Sequence, residues 1–148
     1  MNSRMKKALR HTVLCVLLIT GGTAVSWGQL LPERSMVRQG NRDYDKGEYE
    51  KAEIDYRRAL EKAPWSYEGA YDLGNSLYRQ ERYEEALKAY EVVAGDSVRT
   101  AHFDKSNFNL GNAHFKMRQF EQAMEAYKRA ILANPDDMEA KFNYAYAK

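Results

Sequence analysis

One pattern of small and aromatic residues occurs three times along this chain. Each occurrence begins with a Gly-Asn pair, has an alanine 12 residues after the glycine and a tyrosine four residues after that alanine. The glycines, alanines and tyrosines of the three occurrences are Gly40, Gly74 and Gly111; Ala52, Ala86 and Ala123; and Tyr56, Tyr90 and Tyr127. The glycines are separated by 34 and then by 37 residues. Periods of this length indicate a repeat protein in which one supersecondary unit stacks on the next.

Each repeat is predicted to be a pair of α-helices, because its apolar residues recur at three and four residues, the spacing of one helix face. The predicted first helices cover residues 33–46, 66–79 and 101–117, and the second helices cover residues 49–62, 83–94 and 120–133. Pro64 and Pro135 end second helices, since proline lacks a donor and clashes with the preceding turn. One pair alone cannot bury its apolar face. The pairs therefore stack into an all-α solenoid with a concave surface.

Acidic residues stand four positions before basic ones on the second helices. The pairs are Glu53 with Arg57, Glu84 with Lys88, and Glu125 with Arg129. Such pairs add only about 0.2–0.5 kcal/mol each. We interpret these faces as solvated surface, and we expect the carboxylates of this chain to lack the apolar surroundings that raise a pKa for acid–base work.

The repeats resemble the tetratricopeptide repeat family. The resemblance covers residues 33–137 and depends on the 34-residue period, on Leu73-Gly74 and Leu110-Gly111, and on the pair Ala130 and Pro135. It implies three helix pairs, at about residues 33–66, 67–103 and 104–137, followed by the first helix of a fourth repeat at residues 138–148. On that last helix we expect Met138, Phe142 and Ala145 to cover the third pair, with Tyr144 and Tyr146 making the outer face less polar.

The first 28 residues have the layout of a signal peptide. A basic stretch ending near Arg10 is followed by an apolar run at residues 13–19 and by small residues at 20–24. Cleavage is expected after Ser26 or Gly28. The alternative is an uncleaved anchor, although the run is shorter than the ~20 residues that span a bilayer. The protein is thus predicted to be periplasmic, or anchored in the inner membrane and facing the periplasm, with no other membrane contact.

The charge balance argues against nucleic-acid binding. The chain has 23 basic and 21 acidic residues, but four of the basic residues lie in the first 28 positions, where no acidic residue occurs. The remainder is slightly acidic, so the usual electrostatic attraction to phosphate is missing.

A candidate groove follows from the register that the glycines set on the first helices. One outward stripe there presents an asparagine between apolar or aromatic residues in every repeat: Val37, Asn41 and Tyr44; Tyr71, Asn75 and Tyr78; Phe108, Asn112 and Phe115. A primary amide both donates and accepts hydrogen bonds, so three asparagines that face solvent could hold an extended peptide while the rings bind its side chains. Lys105, with Lys116 and Arg79, would make part of this groove basic.

Some chaperone-bound members of the family hold a peptide C-terminus with a carboxylate clamp. The sequence can be checked for the residues of this clamp. The corresponding positions are Val37, Asn41, Asp72, Lys105 and Asn109, and only Asn41 and Lys105 fit. Asp72 would repel the carboxylate of the ligand. We therefore expect a different specificity.

A narrower resemblance depends on three segments, Arg38-Gln-Gly-Asn-Arg-Asp-Tyr44, Tyr71-Asp-Leu-Gly-Asn-Ser-Leu-Tyr78 and Lys141-Phe-Asn-Tyr-Ala-Tyr-Ala147. With these segments the chain resembles the exported repeat proteins of Bacteroides aerotolerance (Bat) operons. The resemblance implies a component of a cell-envelope assembly, with von Willebrand A-type proteins as candidate partners.

No enzyme is expected, because the sequence has no zinc-protease, nucleophile-elbow or phosphate-loop motif. His102 lies in a connection between repeats, and His114 stands at a position predicted to be buried or half-buried; neither indicates a metal site, and no cofactor is predicted. Two function classes remain. The first is a scaffold that binds a protein segment in the groove, and the second is a structural module that self-associates end to end through its last helix.

Overall fold

A computed structural model of the protein describes residues 31–95 and 102–148. These residues form seven α-helices and no β-strand. The helices are α1 (Pro32–Asp45), α2 (Tyr49–Lys62), α3 (Tyr67–Arg79), α4 (Tyr83–Ala94), α5 (Phe103–Lys116), α6 (Phe120–Ala133) and α7 (Met138–Tyr146). The observed bounds of the three pairs agree with the predicted ones to within two residues. The predicted signal segment at residues 1–28 lies outside the described residues.

The helices form consecutive pairs, α1 with α2, α3 with α4 and α5 with α6, and α7 packs on α6. First helices also contact the first helix of the next pair, α1 with α3 and α3 with α5, whereas no comparable contact joins successive second helices of the described chain. The first helices therefore lie on the shorter, inner side of the curve. This arrangement confirms the predicted all-α solenoid and places the first helices along its concave face.

A buried tyrosine packs against the glycine of each pair. Tyr56, Tyr90 and Tyr127 are no more than 2% exposed. A Cβ atom added at Gly74 would lie 2.5 Å from the Tyr90 ring, and Gly40 and Gly111 have the same relation to the other two tyrosines. The glycines are therefore required because the ring occupies the space of a side chain, which explains the recurrent spacing in the sequence.

The turn inside each pair contains one residue with a left-handed backbone. Gly47 has a φ of 81°, and Glu81 and Arg118 each have a φ of 60°. The three residues are equivalent, since each follows its repeat glycine by seven positions. Only the first repeat places glycine where this conformation costs no steric strain.

The second helices are less completely solvated than the sequence predicted. Glu53 is only 8% exposed, and its carboxylate pairs with Arg57 at 2.8 Å and with Arg82 of the next repeat at 2.6 Å. The prediction of a simple surface pair is wrong for Glu53, because this residue joins two repeats. The described chain also has no ion pair between Glu84 and Lys88 or between Glu125 and Arg129; Glu125 lies 3.9 Å from Lys128 instead.

The last helix presents a different face to the third pair than we expected. Ala140 and Ala147 are buried, whereas Met138 and Phe142 are 70% and 68% exposed. Asp137 begins the helix by accepting a 2.9 Å hydrogen bond from the Ala140 N–H. This register directs Tyr144 inward, against the cluster around Tyr127.

Candidate functional site

The asparagines of the predicted groove are bonded to the buried tyrosines. Tyr90 and Tyr127 donate their hydroxyl hydrogens to the Oδ1 atoms of Asn75 and Asn112, at 2.9 and 2.8 Å, and the Tyr56 hydroxyl lies at the same hydrogen-bonding distance, 2.8 Å, from the Asn41 amide. Burial raises the pKa of each of these tyrosines, so the hydroxyls remain protonated donors. Each asparagine is thus attached to the core of its own repeat.

A second amide from the next first helix completes this arrangement. Asn109 donates from Nδ2 to Asn75 Oδ1 at 2.9 Å, and Asn143 donates to Asn112 Oδ1 at 3.2 Å. The equivalent partner of Asn41 is Asp72. We call these three pairs the polar ladder: Asn41 with Asp72, Asn75 with Asn109, and Asn112 with Asn143.

The polar ladder corrects the expectation that the groove amides simply face solvent in the free protein. The oxygen atoms of Asn75 and Asn112 are each used twice within the structure. By contrast, the Nδ2 atom of Asn112 makes no hydrogen bond with another described residue. The Oδ1 atom of Asn112 is therefore used within the structure, whereas its Nδ2 atom has no acceptor among the described residues.

The first pair of the ladder differs because its second member is an acid. The Asn41 Oδ1 atom lies 3.1 Å from the Val37 carbonyl oxygen and 3.3 Å from Asp72 Oδ2. After a half-turn of the amide, Nδ2 occupies this position and donates to both of these acceptors, and also to the Tyr56 hydroxyl oxygen at 2.8 Å. A charged Asp72 favours that second orientation, whereas a protonated Asp72 could donate to the amide oxygen.

Asp72 is also an exception to the expectation that no carboxylate of this chain has surroundings that raise its pKa. Burial, with a further contribution from Glu68, raises the pKa of Asp72 to about 7. The sequence suggested only charged faces, but the first helices bring Asp72 beside Asn41 and Tyr56 on the concave face.

Two pockets lie along the first helices. The amino-terminal pocket, of about 250 Å³, is lined by Asn41, Tyr44, Asp45, Tyr56, Asp72 and Asn75. The carboxy-terminal pocket, of about 260 Å³, is lined by Tyr78, Asn112, Phe115, Lys116, Tyr127, Phe142, Asn143 and Tyr146. The predicted site residues are therefore divided between two pockets of different chemistry.

The remaining predicted groove residues line neither pocket. The Tyr71 ring stacks on His102 with centroids 4.9 Å apart, and the Phe108 ring lies 5.9 Å from that of Tyr127. Lys105 is exposed. Val37, which the stripe placed on the surface, is only 3% exposed and belongs to the core.

The other basic residues of the groove have separate roles. Arg79 lies over the Tyr49 ring, 4.5 Å from its centroid, so its charge is held at an aromatic pair formed with Tyr44. Lys116 lines the carboxy-terminal pocket and forms no ion pair with a described residue. The groove is therefore basic mainly at that pocket.

Sequence reasoning missed the contribution of α7 to the groove. Phe142, Asn143 and Tyr146 lie 34 residues after Phe108, Asn109 and Asn112. The repeat period could have placed them on the same inner stripe. The prediction instead assigned Phe142 to packing because it is apolar.

His102 and His114 are the two histidines among the described residues. His114 is half-buried, as predicted, and its Nδ1 atom lies 2.7 Å from Gln119 Oε1. The described residues include no group of three or more His, Cys, Asp or Glu side chains arranged to hold a metal ion. None of the described helices is long and apolar enough to cross a membrane.

Comparison with known families identifies the repeats. A tetratricopeptide repeat model matches residues 37–98, and a second model of this repeat matches residues 105–137. Together they cover more than half of the sequence. The chain belongs to the tetratricopeptide repeat family. No curated protein sequence matches it significantly.

Solved structures of the same fold support this assignment. The tetratricopeptide repeat domain of Arabidopsis OM64 is 14% identical with a TM-score of 0.73, over 79% of this chain and 94% of that one. The first such domain of Spaghetti (RPAP3), bound to an HSP90 peptide, is 17% identical with a TM-score of 0.72, over 78% and 89%. The Sgt2 domain from Aspergillus fumigatus is 24% identical with a TM-score of 0.70, over 78% and 76%. At these identities the likeness shows the fold alone.

Proposed function

We propose that this protein is a non-enzymatic scaffold that binds an extended segment of a partner protein along its concave groove. The observation that carries the proposal is Asn112, whose Oδ1 atom is held by Tyr127 and Asn143 while its Nδ2 atom is left to donate to a ligand. A fixed amide of this kind suits a backbone carbonyl of an extended peptide. Two of the similar structures, of RPAP3 and of yeast Sti1, are complexes of the fold with HSP90- and Hsp70-related ligands.

Asn112→Asp tests this role without removing the oxygen atom that is used within the structure. A carboxylate still accepts from Tyr127 and Asn143, but it lacks the donor that a peptide carbonyl needs. We expect the purified full chain to bind members of an array of extended peptides, and the folded variant to bind them more weakly. Asn134→Asp is the matched control, because Asn134 is exposed and lies outside both pockets. Equal binding by the two variants would refute the proposed groove.

A second candidate function is end-to-end self-association. It is favoured by the exposure of Met138, Phe142 and Tyr146 on one short helix. A light-scattering mass that doubles with concentration, and that returns to the monomer value in Phe142→Ser, would support this function.

We further propose that the protein acts in the periplasm, either released or anchored in the inner membrane. The support is the pattern of a basic start, a short apolar run and small residues in the first 28 positions. N-terminal sequencing of the protein from its host tests the proposal, with Trp27 or Gln29 expected as the first residue. A von Willebrand A-type partner in a Bat-type envelope complex is supported only by the three quoted segments, and co-purification with such a protein is its test.

A further inference from the structure

The carboxy-terminal pocket contains two exposed aromatic rings. Phe142 is 68% and Tyr146 is 71% exposed. Their rings are nearly parallel, at 8°, with centroids 6.2 Å apart, and Tyr146 lies 5.6 Å from Phe115. The three rings therefore form one apolar surface at the pocket. An exposed apolar surface of this kind is typical of a docking site.

The size of the pocket fits one large apolar side chain. Its volume is about 260 Å³, whereas an apolar cavity of about 150 Å³ already accepts benzene. Five aromatic rings contribute to its lining, those of Tyr78, Phe115, Tyr127, Phe142 and Tyr146. A phenylalanine or leucine side chain can therefore enter the pocket and contact several rings at once.

Polar groups at the same pocket define what should flank that side chain. Lys116 follows Phe115 directly in α5 and makes no ion pair with any described residue, so its ammonium is available to a ligand carboxylate. Asn112 supplies the amide donor for a neighbouring backbone carbonyl. Side chains of an extended peptide alternate in direction, so an acidic residue two positions from the apolar residue faces the same pocket and satisfies both groups.

The amino-terminal pocket has the opposite charge character. Asp45 and Asp72 line it, and no lysine or arginine does. An acidic residue of the ligand is repelled there and attracted at Lys116. This difference between the pockets favours the carboxy-terminal one for an acidic segment.

We propose that the carboxy-terminal pocket is the specificity site of the groove, where a phenylalanine or leucine side chain of an extended peptide binds together with an aspartate or glutamate two residues away. The proposal rests on the peptide-binding function proposed above and adds the chemistry of the partner segment. The rings Phe142 and Tyr146 hold the apolar side chain, and Lys116 holds the acid.

Three fluorescein-labelled peptides test this specificity with the purified full chain. The probes are Gly-Asp-Ser-Phe-Ser-Asp-Gly, which has an acid two residues from phenylalanine on either side, the same peptide with alanine in place of phenylalanine, and the same peptide with lysine in place of both aspartates. Fluorescence anisotropy should give the tightest binding for the first probe, by about tenfold or more over each of the others, as expected for loss of a central anchor or of its charge partner.

Variants of the protein test separately the residue that binds the apolar side chain and the residue that binds the acid. Phe142→Ser should remove the preference for phenylalanine over alanine, and Lys116→Glu should reverse the preference from aspartate to lysine. Leu132→Ser and Lys141→Glu are the matched controls, because both residues are exposed and line neither pocket. The controls should bind all three probes as the unchanged protein does.

The outcomes separate this proposal from the proposed function. Equal binding of the three probes, weakened throughout by Asn112→Asp, would overturn the specificity site and leave the peptide groove intact. If no probe and no array peptide binds, both proposals fail. A dimer in light scattering that Phe142→Ser dissociates would then identify a second copy of the chain as the occupant of the rings.

Discussion

The Tyr90 hydroxyl donates a 2.9 Å hydrogen bond to the Asn75 amide oxygen from a ring that packs against Gly74. One buried side chain therefore joins the closest helix crossing of the repeat to the surface of the groove. The same relation recurs in the first and third repeats. Stability and the orientation of the groove amides are consequently coupled in this protein.

Replacing Asn75 tests that coupling. Asn75→Ala should lower the free energy of unfolding by about 1–3 kcal/mol, since it leaves the buried Tyr90 hydroxyl unpaired. The double variant Asn75→Ala with Tyr90→Phe should recover part of this loss, because the buried hydroxyl that loses its partner is then absent. Urea denaturation of the two single variants and the double variant checks the prediction. Strictly additive losses would contradict it.

The glycine at the crossing gives a second prediction. Gly74→Ala should destabilise the fold by about 1–3 kcal/mol through overpacking, even though alanine is the better helix former by about 1 kcal/mol. The added methyl would lie 2.5 Å from the Tyr90 ring, which is restrained by its bond to Asn75. Gly74→Leu should cost more.

Thermal denaturation measures both glycine changes, with Glu84→Gln as the control. Glu84 is exposed and forms no ion pair with another described residue, so its replacement should change the melting temperature little. A similar shift for Gly74→Ala and Glu84→Gln would mean that the helix register is wrong.

The sequence predicted the helix pairs well because their small and aromatic residues recur with the repeat period. It predicted the groove less well. The residue types of Asn75 and Phe142 are compatible with either packing or ligand binding. Which of the two roles each residue has depends on which side of its helix contacts a neighbouring helix. The burial of Glu53 and Asp72 could not be read from charge spacing, since both contact a different repeat.

The turn residues that have a left-handed backbone conformation give a third prediction. Gly47→Ala should cost about 1 kcal/mol, because a φ of 81° is unfavourable for a residue with a Cβ atom. The loss must come from the backbone conformation, since the only atom near an added Cβ is the Tyr49 hydroxyl oxygen at 4.0 Å.

The reverse change at an equivalent position is the matched test. Arg118→Gly should be neutral or stabilising by up to about 1 kcal/mol, because relief of strain is partly offset by the greater entropy of the unfolded chain. Chemical denaturation compares the two variants. If Gly47→Ala were neutral while Arg118→Gly lost stability, turn strain would not be the controlling factor.

Asp72 gives a prediction about pH. Its pKa of about 7 in the folded protein lies above the value of about 3.9 in an unfolded chain. Between these two values the folded state binds more protons than the unfolded state, so the contribution of Asp72 to stability falls as the pH rises. The penalty is absent below about pH 4 and complete above about pH 7.

Asp72→Asn should therefore stabilise the protein at pH 8, by at most about 4 kcal/mol, and should lose much of this advantage at pH 5. An asparagine can donate to Asn41 as Asn109 does to Asn75, without an ionisable group in the polar ladder. Urea midpoints of the variant and of the unchanged protein at the two pH values measure the difference, in which the titration of all other groups cancels. Asp45→Asn is the control, because Asp45 lines the same pocket but is exposed. If the stability difference for Asp72→Asn were independent of pH, the carboxyl would not titrate in this range and the two amide orientations of Asn41 would not depend on its charge.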